Sequence, residues 1–518
     1  MKSSKFKITA FILTVLIIFS MTAIFSGCGG NDTDTGGIPV DNAENGGSGT
    51  DQNESEPLDS NSGEENPSSI EARPDYELPE KDFNGSDFRI ISRSETSNLH
   101  WWNYDISAEA ETGDPINDAI YQRNKKVEEL YNITIVNIPD NTAGPSASRS
   151  IRAGSDDYDL VVAGLRDGQE ALLTQGLLMD LHAVPLVDLA KPWWDQKAVE
   201  QLSINNRLYA TACDLTIRDK DAIIILMFSK TLIQNLGLDD PYALVTSGQW
   251  TLDRMHDMMK VASRDLDGDG AMGLDDQYGL LSQYRHTQYL FNAAGEYVAR
   301  LNADKVPEIT IYSQRAAQVV EKIAEMQGDR NIAVHAEQAS GRYSDIWDDF
   351  QVPLFAQDRA LFYHAGMNRV TLLRTMENDF GIIPPPKFDE SQANYYASVD
   401  AWCTSTVSIP ITVSDKERAG LILETLAYES RYILLPAYYD INLKTKFARD
   451  EESGAMIDII LNNRLYDLGD MYYWGGFVSF FENIAQGRGD SLATFWERNG
   501  ERMISAMERT MERIDDLE

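Results

Sequence analysis

Asp265, Asp267 and Asp269 alternate within Asp265-Leu266-Asp267-Gly268-Asp269-Gly270-Ala271-Met272-Gly273-Leu274-Asp275-Asp276, which has the spacing of a calcium loop. Carboxylates at the first, third and fifth positions can converge on one hard cation. Gly270 at the sixth permits the sharp turn, and Ala271 offers a carbonyl. Asp276 stands where a longer, bidentate glutamate is usual. The expected ligands are Asp265, Asp267, Asp269, Ala271 and Asp276, holding a structural calcium; the alternative is an acidic surface turn. No catalytic cofactor is called for.

Nothing else in the sequence asks for catalysis. The six histidines are scattered, and none has metal-ligand spacing. There is no Gly-x-x-x-x-Gly-Lys-Ser/Thr loop, no Gly-x-Ser-x-Gly elbow and no His-Glu-x-x-His. Among 82 acidic residues, carboxylate pairs of glycosidase type arise by chance, so they are no evidence for hydrolysis. With 45 basic residues the formal charge is -37, and no basic stripe is available for phosphates. Nucleic acid is therefore excluded as a partner.

The ends set the compartment. Lys2, Lys5 and Lys7 precede an apolar run over 8–25, the pattern of a secretory signal. Phe25-Ser26-Gly27-Cys28 resembles a bacterial lipobox, with Phe25 where leucine is usual. That resemblance implies a signal peptide over 1–27 and lipidation of Cys28, which anchors the protein on the extracytoplasmic face of the cell membrane; the alternative is an uncleaved anchor helix. Residues 28–80 are Asn, Asp, Glu, Gly, Ser, Thr and Pro with almost no apolar content. Such a segment cannot offset chain entropy by burial and reads as a disordered acidic tether. The rest is long enough for two domains. Beside Cys28 only Cys213 and Cys403 remain, too few for a disulfide scaffold.

Strand and helix signals alternate through this body. Phe88-Arg89-Ile90-Ile91-Ser92 reads as a strand. Asp114 caps a helix that starts at Pro115, with Ile116, Ile120, Val127 and Tyr131 on its apolar face. Ile133-Thr134-Ile135-Val136 and Tyr158-Asp159-Leu160-Val161-Val162-Ala163 follow as strands, so the fold class is α/β with a mostly parallel sheet. A second block opens with the buried strand Ile223-Ile224-Ile225-Leu226-Met227-Phe228. It continues through a helix capped by Thr251, a strand over 359–363 and Phe380-Gly381-Ile382-Ile383 before Pro384-Pro385-Pro386. Helices over 416–428, 452–464, 477–486 and from 490 onward close the chain.

Read in order, several stretches resemble extracellular solute-binding protein family 1, the substrate-binding lipoproteins of ABC importers. They are Ala119-Ile120-Tyr121-Gln122-Arg123-Asn124-Lys125-Lys126-Val127, Leu178-Met179-Asp180-Leu181, Lys191-Pro192-Trp193-Trp194-Asp195 and Gly248-Gln249-Trp250-Thr251-Leu252-Asp253, together with the aspartate loop and 380–387. The resemblance implies two α/β lobes of periplasmic-binding-protein type, a hinge and a ligand cleft between them. The first lobe would begin with 81–213, and the second would span 214–399. The return segment and C-terminal helices, 400–518, would pack on both lobes. Crossings would fall near 209–216 and 396–406.

The resemblance also implies a partner set: a small solute, most readily a sugar or oligosaccharide, ABC permease subunits, and the membrane through the lipid anchor, with the receptor a monomer. Alternatives are a peptide or other polar metabolite as cargo, a surface glycoside hydrolase, or an adhesin. Sugars are held by aromatic faces and planar polar groups on loops. The loops at the implied cleft offer Trp101 and Trp102 after the first strand, and Arg166, Asp167 and Gln169 after the third. Asp214 lies on the first crossing, Asn368 and Arg369 follow the 359–363 strand, Asp400 and Trp402 lie on the return, and Trp474 opens a late helix. For each singly the alternative is core or hinge packing. Trp193 and Trp194 read as lobe packing, and Trp496 as the inner face of the last helix. Cys213 and Cys403 fall on the two crossings and could pair; two free buried thiols are the alternative.

Overall fold

Ile225 and Met227 point into one apolar cluster while Leu226 and Phe228 point into another. This period-two division explains why the strand reads as an unbroken apolar run: both faces of its sheet are covered. The computed structural model describes residues 73–95, 101–373, 376–439 and 451–515. The leader 1–27, Cys28 and the tether as far as residue 72 lie outside the described residues. Among the described residues no helix is long and apolar enough to cross a membrane.

The strands are β1 (Ser86–Arg93), β2 (Ile133–Asp140), β3 (Leu160–Gly164), β4 (Ile224–Ser229), β5 (Tyr278–Ser282), β6 (Ala299–Leu301), β7 (Pro307–Ile309), β8 (Ala333–His335), β9 (Ala360–Gly366), β10 (Phe380–Ile383), β11 (Ala397–Ser398), β12 (Ser405–Ser408) and β13 (Arg464–Leu465). The first lobe is built on a sheet in the order β12-β3-β1-β2, the second on β10-β4-β9-β5-β8. In the first, β1 is parallel to β2 and β3, and β12 is antiparallel to β3. In the second, β5 is parallel to β8 and β9, whereas β4 runs antiparallel to β9 and β10. Both sheets are thus mixed, not simply parallel. β4 and β12 are the strands that follow a crossing, so each enters its sheet from the other lobe and meets its neighbours head to tail.

Two connections lie side by side. Thr211 and Val407 exchange backbone hydrogen bonds of 3.2 and 2.9 Å, and Ile223 bridges Val399, both antiparallel. β11 pairs with β13 beside them. The helix Lys416–Tyr432 then returns to pack on the helix Pro115–Tyr131 of the first lobe. The helix Phe477–Ala485 packs in the second lobe against His286–Ala293 and Gln314–Gln327. The terminal helix Leu492–Asp515 covers the turn Trp474–Gly476.

Residues 73–80, which composition assigns to the tether, contact the folded body. Tyr76 lays its ring 4.7 Å from that of Trp193 and donates its hydroxyl to Glu424 at 2.9 Å. Arg73 pairs with Glu429. Residues 73–80 therefore belong to the folded body, held by Arg73, Tyr76 and Leu78, the last packed against the core. Trp193 and Trp194 are buried, each donating its indole N–H to Glu424 at 2.9 Å. Trp496 stacks on Tyr312 at 5.5 Å.

Candidate ligand cleft

The loops beyond the carboxyl ends of β3, β5 and β9 and the return crossing converge on a cleft of about 400 Å³. Such convergence at strand ends is the usual site of binding in α/β folds. Close backbone packing positions one of these loops. Gly144, in the helix Ala143–Arg152, approaches the Leu165–Gln169 turn so closely that a Cβ there would lie 2.4 Å from Gly168 Cα. That contact seats the turn carrying Arg166.

Six of the expected cleft residues line it: Trp101, Arg166, Asn368, Arg369, Asp400 and Trp402. Four do not. Trp102 packs its ring 5.5 Å from Tyr104, and its carbonyl accepts from Arg218 at 2.8 Å. Gln169 is wholly buried; it donates to the Thr406 carbonyl at 2.9 Å and accepts from Ser408 at 2.7 Å, which pins β12 to β3. Asp214 pairs with Lys220 at 3.0 Å beside a separate hinge cavity of about 150 Å³. Trp474 is buried, stacked 4.8 Å from Tyr472 with its N–H on Thr510 at 3.0 Å. Asp167 lies on the Arg166 turn, and its side chain is outside the described residues.

The cleft also contains Tyr473, Trp347, Arg285, His286, Glu337 and Glu482, which the sequence reading did not single out. Tyr473 replaces its neighbour because it adopts a left-handed conformation, φ 56°, before Gly475 and Gly476, also at positive φ. This bend turns Tyr473 outward and Trp474 inward. The two glycines were the available signal. A tryptophan among aspartates, as in Asp345-Ile346-Trp347-Asp348, was the signal for the second.

Trp402, Tyr473 and Trp347 are 46, 40 and 38 % exposed, unusually open for such rings. The Arg166 guanidinium lies over Tyr473 at 3.9 Å and over Trp402 at 5.4 Å. Arg285 donates to Asp470 at 2.6 Å and to the Tyr289 hydroxyl at 3.0 Å, and lies 3.5 Å from Asp400. Arg369 pairs with Asp348. Burial works against the charge on Asp400, but the Arg285 guanidinium and His286 hold its carboxyl below the usual range. Burial pushes the His286 imidazole down to about 4, so it is neutral at physiological pH. Burial raises Glu337, against hydrogen bonds from backbone N–H groups including that of Tyr284; Glu482 adds repulsion. The parts of this arrangement are aromatic faces, paired charges and hydrogen-bonding groups.

In the aspartate loop, one oxygen each from Asp265, Asp267 and Asp269 lies within 4.8 Å of the others, and all three residues are exposed. Gly268 and Gly270 take positive φ as such a turn requires. Asp276 does not join them. It is buried and accepts from the backbone of Leu266 at 2.8 Å and Gly273 at 2.6 Å, closing the loop instead. The Ala271 N–H donates to Asp269 at 2.8 Å. Three carboxylates suit a hard cation, with the remaining donors to come from carbonyls and water. Cys213 and Cys403 are both free and buried, not paired; Cys403 Sγ lies 3.4 Å from Asp400 Oδ2.

No protein-family model matches the chain, and no curated protein matches it in sequence. Solved structures do match its fold. UgpB from Mycobacterium tuberculosis in complex with glycerophosphocholine superposes with a TM-score of 0.53 at 14 % identity, over 82 % of this chain and 98 % of that one. A cyclo/maltodextrin-binding protein complexed with maltotetraose gives 0.52 at 15 %, over 83 % and 96 %. An ABC substrate-binding protein from Listeria monocytogenes in complex with cycloalternan gives 0.50 at 13 %, over 84 % and 98 %. Their identity is too low to carry over a ligand, but each match covers more than four fifths of this chain. The chain has the two-lobed fold of the solute-binding proteins of ABC importers.

Proposed function

We propose that this protein is an extracytoplasmic receptor that captures a sugar or oligosaccharide between its lobes and delivers it to the permease of an ABC importer. The observation that carries the reading is the cleft: about 400 Å³ at the strand ends, with exposed Trp347, Trp402 and Tyr473 around buried polar groups. Exposed rings present flat apolar faces that suit the C–H faces of pyranoses, while buried polar groups fix hydroxyls. Ligand binding would shift an open–closed equilibrium about the paired crossings. Cys28 would carry the lipid, and a tether of roughly the first 45 residues after it would let the body reach the permease. The aspartate loop would hold calcium in a structural role, away from the ligand.

A melting screen of the purified full chain tests this. The panel holds mono- and oligosaccharides, amino acids, peptides and glycerophosphodiesters. A ligand that binds only the folded state raises the melting temperature. A rise with one sugar class supports the proposal. A rise only with peptides or another metabolite replaces the cargo, and turnover of an oligosaccharide in the same mixtures refutes a receptor role.

A further inference from the structure

The charges that line the cleft are mostly committed to each other. Arg285 sits between Asp470 and Asp400, and Arg369 pairs with Asp348. Glu337 accepts the Tyr284 N–H with both oxygens. Asp470 is also engaged: Oδ1 takes Arg285, and Oδ2 takes the Tyr289 hydroxyl at 3.3 Å and the Ala401 N–H at 3.2 Å.

Arg166 differs. Its Nη1 is buried and has no hydrogen-bond partner among the described residues. The closest carboxylate, Asp470, is 3.9 Å away, beyond hydrogen-bond reach. The guanidinium lies over the Tyr473 ring at 3.9 Å and that of Trp402 at 5.4 Å, so it is positioned before any ligand arrives. A side cavity of about 140 Å³ opens past Trp101 and Trp402 and brings Arg93 to the same side. Two further acceptors belong to side chains that line the cleft. Asn368 Oδ1 is buried without a donor among the described residues. His286 Nδ1 lies 2.9 Å from the His364 carbonyl, so that nitrogen carries the proton and Nε2 is left with a lone pair. Glu482 stands beside Glu337 as an acidic corner.

We propose that the cleft selects a sugar bearing a carboxylate, with Arg166 taking the carboxylate and Asn368 and His286 accepting hydroxyl protons. A planar guanidinium with spare N–H groups matches a carboxylate in geometry and charge. The pre-stacked Arg166 loses little rotamer freedom when it binds. A neutral sugar could still use the rings and the acceptors but would leave the buried Nη1 of Arg166 to a hydroxyl, a weaker partner. This inference rests on the sugar reading above and names the kind of sugar.

The test is titration calorimetry on the purified full chain with matched oligosaccharides that differ only in a glucuronate or a glucose at one end, and with a glucose 6-phosphate-terminated analogue. The expected result is a preference of about tenfold or more for the glucuronate form at low salt. That preference shrinks as salt rises. It is abolished in Arg166→Gln and partly retained in Arg166→Lys. A melting curve of each variant checks folding, and if Arg166→Gln unfolds, Arg166→Lys still decides, since its preference must fall. Equal affinity for the two forms overturns this inference and leaves the sugar receptor standing, as does a preference that survives Arg166→Gln. Tighter binding of the phosphate analogue overturns the carboxylate. Binding of no sugar at all, alongside binding of another metabolite, overturns the proposed function itself.

Discussion

Replacing Asp470 with asparagine keeps the shape of the side chain and removes one charge from the cleft wall. In the native arrangement its carboxylate accepts from Arg285 at 2.6 Å, from the Tyr289 hydroxyl and from the Ala401 N–H. Arg285 is deep in the wall, its side chain 18 % exposed, and Asp470 is 2 % exposed. The substitution leaves Arg285 with the Tyr289 hydroxyl at 3.0 Å and, as its remaining carboxylate among the described residues, Asp400 at 3.5 Å. Breaking a buried ion pair from one side costs roughly 3–5 kcal/mol. The surviving partner and the partial exposure of Arg285 recover some of this, so a loss of about 2–3 kcal/mol is expected. Urea denaturation measures it as a lower midpoint with an unchanged slope. Asp400→Asn alone should cost less, because its contact with Arg285 is longer. The double substitution should cost more than the sum, because Arg285 then loses both carboxylates. A loss below about 0.5 kcal/mol for Asp470→Asn, or strict additivity in the double variant, would show that Arg285 is solvated well enough to need no partner and would refute the account of the wall.

Trp402→Ala should leave the unliganded melting temperature nearly unchanged, because the ring is 46 % exposed, yet remove most of the ligand-induced rise; Trp474→Ala should instead cost about 3–5 kcal/mol with or without ligand. Burial raises Glu424 to about 7, against hydrogen bonds from Tyr76, the Asp188 backbone, Trp194 and Trp193. The unfolded value is near 4.3, so its contribution, of order 3 kcal/mol, is complete below that pH and is lost as pH rises towards 7. Denaturation midpoints of Glu424→Gln should therefore vary less than those of the native chain between pH 4.5 and 7, and parallel pH profiles would refute this. Calcium at a hundred times its dissociation constant should stabilise the fold by about 2.7 kcal/mol, and chelator should remove that gain. Asp267→Asn should abolish the response, and a native chain indifferent to chelator would reduce the loop to a surface turn.

Local chemistry was legible in the sequence wherever neighbours along the chain decide it. The cap at Asp114, which accepts from Ile116 and Asn117, follows from a side chain and the backbone two and three residues on. The run Ile223 to Phe228 needs no partner identity to be read as buried on both faces, and the order of strands and helices was enough for the α/β class, whereas the two-lobed fold followed from the family resemblance. The aspartate loop belongs with these for Asp265, Asp267 and Asp269, since five residues span the turn.

Tertiary structure decided what depends on direction and on competition for partners. Gln169 and Arg166 lie three residues apart on one turn, yet the first is consumed by β12 and the second opens on the cleft. A single left-handed residue exchanged Tyr473 for Trp474. Asp214 pairs with Lys220 outside the cleft, and Asp276 accepts from the backbone of its own loop. Residue type indicates what a side chain can bind. Only the packed fold decides which groups remain unsatisfied at the cleft surface, because each buried polar group takes the nearest partner the backbone brings to it.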